Sequence, residues 1–210
     1  MTPDPDNRLG VLISGRGSNL QALIEAIHQG TLDATIAIVI SNRADAAGLE
    51  RARRADIETL VIDHRGWATR DDFDRALVRE LQARRVRLVC LAGFMRRVGS
   101  PMLDAFPNAI LNIHPSLLPA FPGIEPQRQA LDHGVQVSGV TVHLVTADLD
   151  DGPIVVQRPV PVLSGDTPDT LAARILIEEH KAYPEAVARV LAGGWTIEGR
   201  RFKSTTGAEV

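Results

Sequence analysis

Apolar residues in this chain fall into short unbroken runs separated by amphipathic stretches. LGVLIS (9–14), ATIAIVIS (34–41), TLVID (59–63), RLVCLAG (87–93) and AILNI (109–113) read as buried strands. Between them, SNLQALIEAIHQ (18–29) places apolar residues at 20, 23, 24 and 27, and RDDFDRALVRELQARR (70–85) places them at 73, 77, 78 and 81. That spacing predicts two helices, and AAGLERARRAD (46–56) predicts a third. Strands rich in Val, Ile and Leu that alternate with helices give βαβ units, hence an α/β fold with a mostly parallel sheet.

The pattern changes after residue 136. VSGVTVHLVT (137–146) and PIVVQRPVPVL (153–163) are longer strands joined by the acidic stretch ADLDDG, which predicts an appended antiparallel pair. A long helix follows over 168–191, with Thr167 as N-cap, Pro168 in the first turn and Gly193-Gly194 at the far end. Pro184 is expected to kink or divide it. Without a repeat, a low-complexity stretch or a linker, the chain reads as a flexible tail (1–8), one domain (9–200) and a polar C-terminal tail (201–210).

Composition narrows the partners. The formal charge is −3 with no block of like charge, which argues against a nucleic-acid footprint. No apolar run approaches the roughly 20 residues that cross a bilayer. The first residues, MTPDPDNR, lack the pattern of a signal peptide. The single cysteine, Cys90, sits in an apolar run and has no internal partner. It reads as a buried structural thiol in a reducing, cytoplasmic setting.

Two stretches carry candidate chemistry. The first is Ser14-Gly15-Arg16-Gly17-Ser18-Asn19, between a strand and a helix. Glycines there expose backbone N–H groups at a helix N-terminus, where an anion is favoured. Ser18 and Asn19 are able to cap the helix or to donate to phosphate oxygens. Leu20 stands where a dinucleotide fingerprint needs its third glycine, and the G-K-[ST] of an ATP-type loop is absent. A site for one phosphate group remains, against the plainer reading of a capped turn.

The second stretch is LNIHPSLLP (111–119). A strand repeats every two residues, so Asn112 and His114 project to one face at the strand's carboxyl end. Asn112 suits an oxyanion and His114 suits proton transfer. Asp148, Asp150 and Asp151 cluster in a turn, and any of them is a candidate to orient an imidazole. The plainer reading is a histidine capping a strand and aspartates ending a hairpin. A zinc site from His114, His143 and an aspartate matches no short metal motif. With no G-x-S-x-G elbow and no evident nucleophile, direct transfer between two substrates fits better than a covalent route.

SGRGSNLQALIEA, SNRADAAGLERAR, LAGFMR, NIHPSLLPAFPG, TVHLVTADLDDGPIVVQ and EEHKAYP occur in this order. Over residues 9–198 the chain resembles the folate-dependent phosphoribosylglycinamide formyltransferases of purine biosynthesis, within the formyltransferase superfamily. The resemblance implies a Rossmann-like, mostly parallel twisted sheet with an antiparallel C-terminal strand pair and helices on both faces. It implies direct attack of the glycinamide ribonucleotide amine on 10-formyltetrahydrofolate, through a tetrahedral intermediate and without a metal. By resemblance the catalytic trio is Asn112, His114 and Asp150. Gly17, Ser18 and Asn19 meet the substrate phosphate and Glu179 its ribose. Phe94, Met95, Arg96, Val98 and the loop from Val145 to Asp150 meet the folate, and Arg70 its glutamate tail.

The sequence supports Glu179 independently, because Leu171, Ile175 and Glu179 fall on one helical stripe. It departs from the family at Arg16, where many relatives have Asn, and at IEPQR (124–128), where a His is common. Relatives also suggest a cis bond at Leu118-Pro119, which sequence alone cannot show. The expected protein is a cytoplasmic monomer or homodimer acting on small molecules, with no nucleic-acid or membrane partner. The rival readings are a formyltransferase or hydrolase of the same superfamily with another acceptor, and a non-catalytic folate- or phosphate-binding module.

Overall fold

A computed structural model describes residue 4 and residues 6–205. Residues 1–3, 5 and 206–210 of the two predicted tails lie outside the described residues. The chain divides into two compact units, Met1–Asn112 and Ile113–Val210.

In the first unit the apolar runs form parallel strands. They are β1 (Arg8–Ile13), β2 (Thr35–Ser41), β3 (Thr59–Val61), β4 (Leu88–Leu91) and β5 (Ile110–His114), in the spatial order β3-β2-β1-β4-β5. β5 begins in this unit, and its last two residues belong to the second. Every pairing in the unit is parallel, including Leu91 opposite Asn112. β4 is buried throughout, as unbroken Val/Leu/Cys runs require when both faces are covered. Cys90 within it is free and buried.

Four helices join these strands: α1 (Ser18–His28), α2 (Gly48–Arg54), α3 (Arg70–Ala83) and α4 (Ser100–Ala105). A single 3-10 turn covers His64–Gly66. The Thr69 side chain caps α3 by accepting from the Asp72 N–H, and Asp71 and Asp72 complement the positive end of its dipole. The sequence pattern did not predict α4.

The second unit holds the antiparallel pair β6 (Val137–Leu144) and β7 (Ile154–Pro161), in register from Val137↔Pro161 to His143↔Ile154. The register slips between Val142 and His143. A short helix, α5 (Pro126–Asp132), and a hairpin, β8 (Trp195–Glu198) and β9 (Arg201–Ser204), were also not predicted. The hairpin docks on β7 through Ile154 and Arg201.

The long helix α6 (Pro168–Ala192) runs through Pro184 undivided, so of the two expected effects of this proline, division does not occur. It starts with a reciprocal Thr167–Thr170 capping box. Leu171, Ile175, Ala182, Tyr183, Ala186, Val187, Val190 and Leu191 are buried along it. Burying a large apolar side chain yields about 1.5–3 kcal/mol, so this face outweighs the ~3 kcal/mol that a proline costs inside a helix. Among the described residues, no helix is long and apolar enough to cross a membrane.

Candidate active site

In the first unit the glycine loop follows β1 and ends in α1. Gly17 is the N-cap, with φ 70°, a left-handed conformation that favours glycine. The N-cap position, a glycine, supplies no side-chain cap to this helix. Ser18 is the first helical residue, and Asn19 is buried beside it.

Other residues occupy the loop's carbonyl oxygens. The Gly48 N–H donates to Gly15 O at 3.0 Å, the Gln21 N–H donates to Gly17 O at 3.0 Å, and Arg51 Nε donates to Arg16 O at 2.9 Å. A Cβ on Gly17 would stand 2.6 Å from the Gly48 Cα, so two backbones touch here. A Cβ on Gly15 would meet nothing within 4 Å. The steric demand for glycine therefore falls on Gly17. A loop whose carbonyls are bound elsewhere is suited to offer its N–H groups to an anion.

The turn after β4 carries the other first-unit candidates. Phe94 and Val98 are buried, whereas Met95 and Arg96 are exposed. Phe94 stacks on Phe73 of α3 with centroids 6.4 Å apart and planes 11° from parallel. Arg70, the first residue of α3, is exposed. Asn112 closes the unit, half-buried, at the carboxyl side of β5.

In the second unit His114 and Asp150 meet. His114 is 5% exposed, and its Nε2 lies 2.8 Å from Phe121 O. A carbonyl only accepts, so Nε2 carries the hydrogen and the neutral ring keeps its lone pair on Nδ1. Nδ1 lies 3.5 Å from Asp150 Oδ2, and the Asp150 side chain is 7% exposed. Burial pulls the His114 pKa below its ordinary value, despite the Phe121 carbonyl and Asp150, which act to raise it. Burial acts to raise the Asp150 carboxyl, but His143, the Gly123 N–H and His114 outweigh it and hold it low. The pair is thus a neutral imidazole beside a carboxylate.

Asp150 is singled out from its neighbours by backbone shape. Its φ is 52°, and its Oδ2 accepts from the Gly123 N–H at 2.8 Å. A non-glycine residue in this region is uncommon and recurs at functional sites. Asp151 instead pairs with Arg200 at 2.7 Å, and Asp148 is exposed. Gly152 closes the loop that starts at Val145, since a Cβ there would stand 1.7 Å from Leu144 O.

Sequence reasoning missed the role of His143, which it weighed only as a metal ligand. His143 Nε2 lies 3.6 Å from Asp150 Oδ1, while its Nδ1 donates to Leu144 O at 2.9 Å. The signal was a histidine in an otherwise apolar run, placed where the strand register slips. Such slips re-aim side chains.

Glu179 is buried on α6 with Leu171 and Ile175, as the stripe predicted. The Leu118–Pro119 bond is cis. Thr141 Oγ1 holds this segment, accepting from the Leu118 N–H at 3.0 Å and donating to Ser116 O at 2.7 Å.

Comparison with known proteins adds an independent line. The formyl transferase family model matches residues 7–187. A phosphoribosylglycinamide formyltransferase of Escherichia coli (strain K12) is 43% identical over 190 residues, covering 90% of this chain and 87% of that protein. A glycinamide ribonucleotide transformylase 1 from Symbiobacterium toebii superposes with a TM-score of 0.92 at 59% identity, covering 94% of this chain and 93% of that one. The trifunctional purine biosynthetic protein adenosine-3 of Homo sapiens is 48% identical over 186 residues. This chain spans only 18% of that protein's length. These matches bear out the resemblance: the chain belongs to the formyl transferase family, as a homologue of the phosphoribosylglycinamide formyltransferases.

Proposed function

We propose that this protein transfers the formyl group of 10-formyltetrahydrofolate to the amine of glycinamide ribonucleotide in purine biosynthesis. The observation that carries the reading is the buried His114–Asp150 pair, in a chain whose family match spans residues 7–187. The amine nitrogen attacks the formyl carbon, and a C–N bond forms as the carbonyl becomes an oxyanion. Asn112 donates to that oxyanion, a kind of contact whose loss commonly costs ~10²–10³ in turnover. The neutral His114 takes the proton that the attacking amine must lose, with Asp150 stabilising the imidazolium. Collapse of the intermediate breaks the bond to the folate nitrogen, which receives that proton. His114 serves in turn as base and acid, since an imidazole that accepts a proton can return it in the next step. The 3.5 Å gap between His114 and Asp150 suits a bridging water or closure on substrate binding.

The binding roles follow the family resemblance. Gly17, Ser18 and Asn19 hold the substrate phosphate, with Arg16 adding positive charge beside them. Glu179 holds the ribose hydroxyls. Phe94, Met95, Arg96, Val98 and Val145 meet the folate, and Arg70 meets its glutamate tail. Residues 9–200 act as one formyltransferase domain, since the family match runs through both compact units. A lone buried thiol fits a reducing cytoplasm.

The test is transfer of a ¹³C-labelled formyl group, followed by mass spectrometry. Labelled formylglycinamide ribonucleotide should form only when both substrates are present. Label released as formate without acceptor would favour the hydrolase reading instead.

A further inference from the structure

The turn from Gly93 to Gly99 contains no helix or strand, yet it carries Phe94, Met95, Arg96 and Val98. Two buried side chains from elsewhere in the first unit hold its backbone. Near its start, the Met95 N–H donates to Ser14 Oγ at 2.7 Å. At its end, the Gly99 N–H donates to Asp74 Oδ2 at 2.5 Å. The Ser14 hydroxyl spends its own proton on Asn42 Oδ1 at 2.6 Å, which leaves its lone pairs for Met95. Asn42 in turn meets His64 Nδ1 at 3.2 Å.

Asp74 is an expensive residue to keep. It is 1% exposed, on a face of α3 otherwise lined by Phe73, Ala76, Leu77 and Leu81. Among the described residues, its Oδ1 has no hydrogen-bond partner. Burial pushes its carboxyl up, against the Gly99 N–H and the charges of Arg70 and Arg96, with Asp71 adding to the rise. An apolar side chain would suit this face for stability alone. Buried polar groups left partly unsatisfied call for an explanation other than packing. Gly99 also sits tightly, for a Cβ there would stand 3.1 Å from Asp74 Oδ2 and 3.2 Å from Arg70 Nε.

We propose that Ser14 and Asp74 are positioning residues for the formyl donor, pinning the two ends of the turn that receives it. This rests on the reading above that the turn meets the folate. With its ends fixed, the turn presents its backbone groups already ordered, and the donor does not have to order them on binding. Asp74 thereby also ties Arg70, one helical turn earlier on α3, to the same element.

The experiment measures dissociation constants by calorimetry, separately for 10-formyltetrahydrofolate and for glycinamide ribonucleotide. The proteins are wild type, Ser14→Ala, Asp74→Leu and Asp74→Asn. Ser14→Ala and Asp74→Leu should each weaken the donor at least about fivefold, with the ribonucleotide within about twofold. Asp74→Asn keeps an acceptor for the Gly99 N–H and should restore donor binding. Donor affinities unchanged in both pin-removing variants would overturn the proposal. So would equal weakening for both ligands, which signals general loosening. If Asp74→Leu fails to fold, Ser14→Ala decides. A wild-type protein that binds no donor refutes the folate reading and this proposal with it. Wild-type binding of both ligands, with unchanged variants, refutes the pinning alone.

Discussion

Gly17→Ala tests the architecture of the glycine loop. Gly17 holds φ 70°, and a left-handed residue with a Cβ costs roughly 1–2 kcal/mol. The added carbon would stand 2.6 Å from the Gly48 Cα, a backbone atom that no rotamer change can move aside. Either the loop or the start of α2 must shift, a kind of overpacking that typically costs ~1–3 kcal/mol more. The two together come to about 2–5 kcal/mol. For a domain of this size each kcal/mol lowers Tm by roughly 2–4 °C, so Gly17→Ala should melt about 4–20 °C below wild type. Gly15→Ala is the matched control, with open space around the new methyl and no left-handed φ. It should melt within about 2 °C of wild type. Gly17→Ala should also raise the KM for glycinamide ribonucleotide, because the shifted loop carries the N–H groups proposed for its phosphate. Calorimetric melting of the two variants side by side is the assay. Equal Tm values for both would refute the claim that Gly17, and not Gly15, is the sterically required glycine.

Burial holds the His114 pKa below 6.5, so between that value and the folded one the unfolded chain binds a proton that the folded chain refuses. Stability therefore falls as pH drops through this window and is regained above it. Asp150, held below 3.8, adds a second loss as pH falls through its folded value. Urea unfolding from about pH 7 to 5.5 should show a steeper loss for wild type than for His114→Gln, and parallel curves would contradict the assignment. In activity, the acid limb of kcat/KM should lie below pH 6.5, since the base of the free enzyme must be neutral to accept the proton. The fully buried Cys90 should resist an aromatic disulfide reagent in the native protein and react once urea unfolds it.

Much of the frame was legible in the sequence because its signals are local. The parallel strands appear as unbroken apolar runs, and α3 and α6 appear as apolar stripes, α6 with a recognisable cap at Thr167. Helices α4 and α5 escaped because six and seven residues fall short of two turns, too few for a period to show. The β8–β9 hairpin escaped because its positions are half-buried or exposed and its strands are short. At the site, Asn112, His114 and Glu179 were readable as polar side chains in apolar patterns. The choice of Asp150 over Asp148 and Asp151 came from family resemblance, and the backbone φ supplies its physical ground. His143, Ser14 and Asp74 were not read as site residues. The partners of Ser14 and Asp74 lie 81 and 25 residues away in the chain, a separation that no periodicity reports. Pro184 does not divide α6, because the packing of a whole helix face carries the helix through it.

The central claim is that His114 carries the proton in formyl transfer. The most direct measurement is single-turnover transfer from 10-formyltetrahydrofolate to glycinamide ribonucleotide, in wild type and His114→Ala, with both ligands saturating. The account predicts that the variant still binds both ligands but transfers at least ~10² more slowly. A variant that transfers within a few-fold of wild type would contradict it.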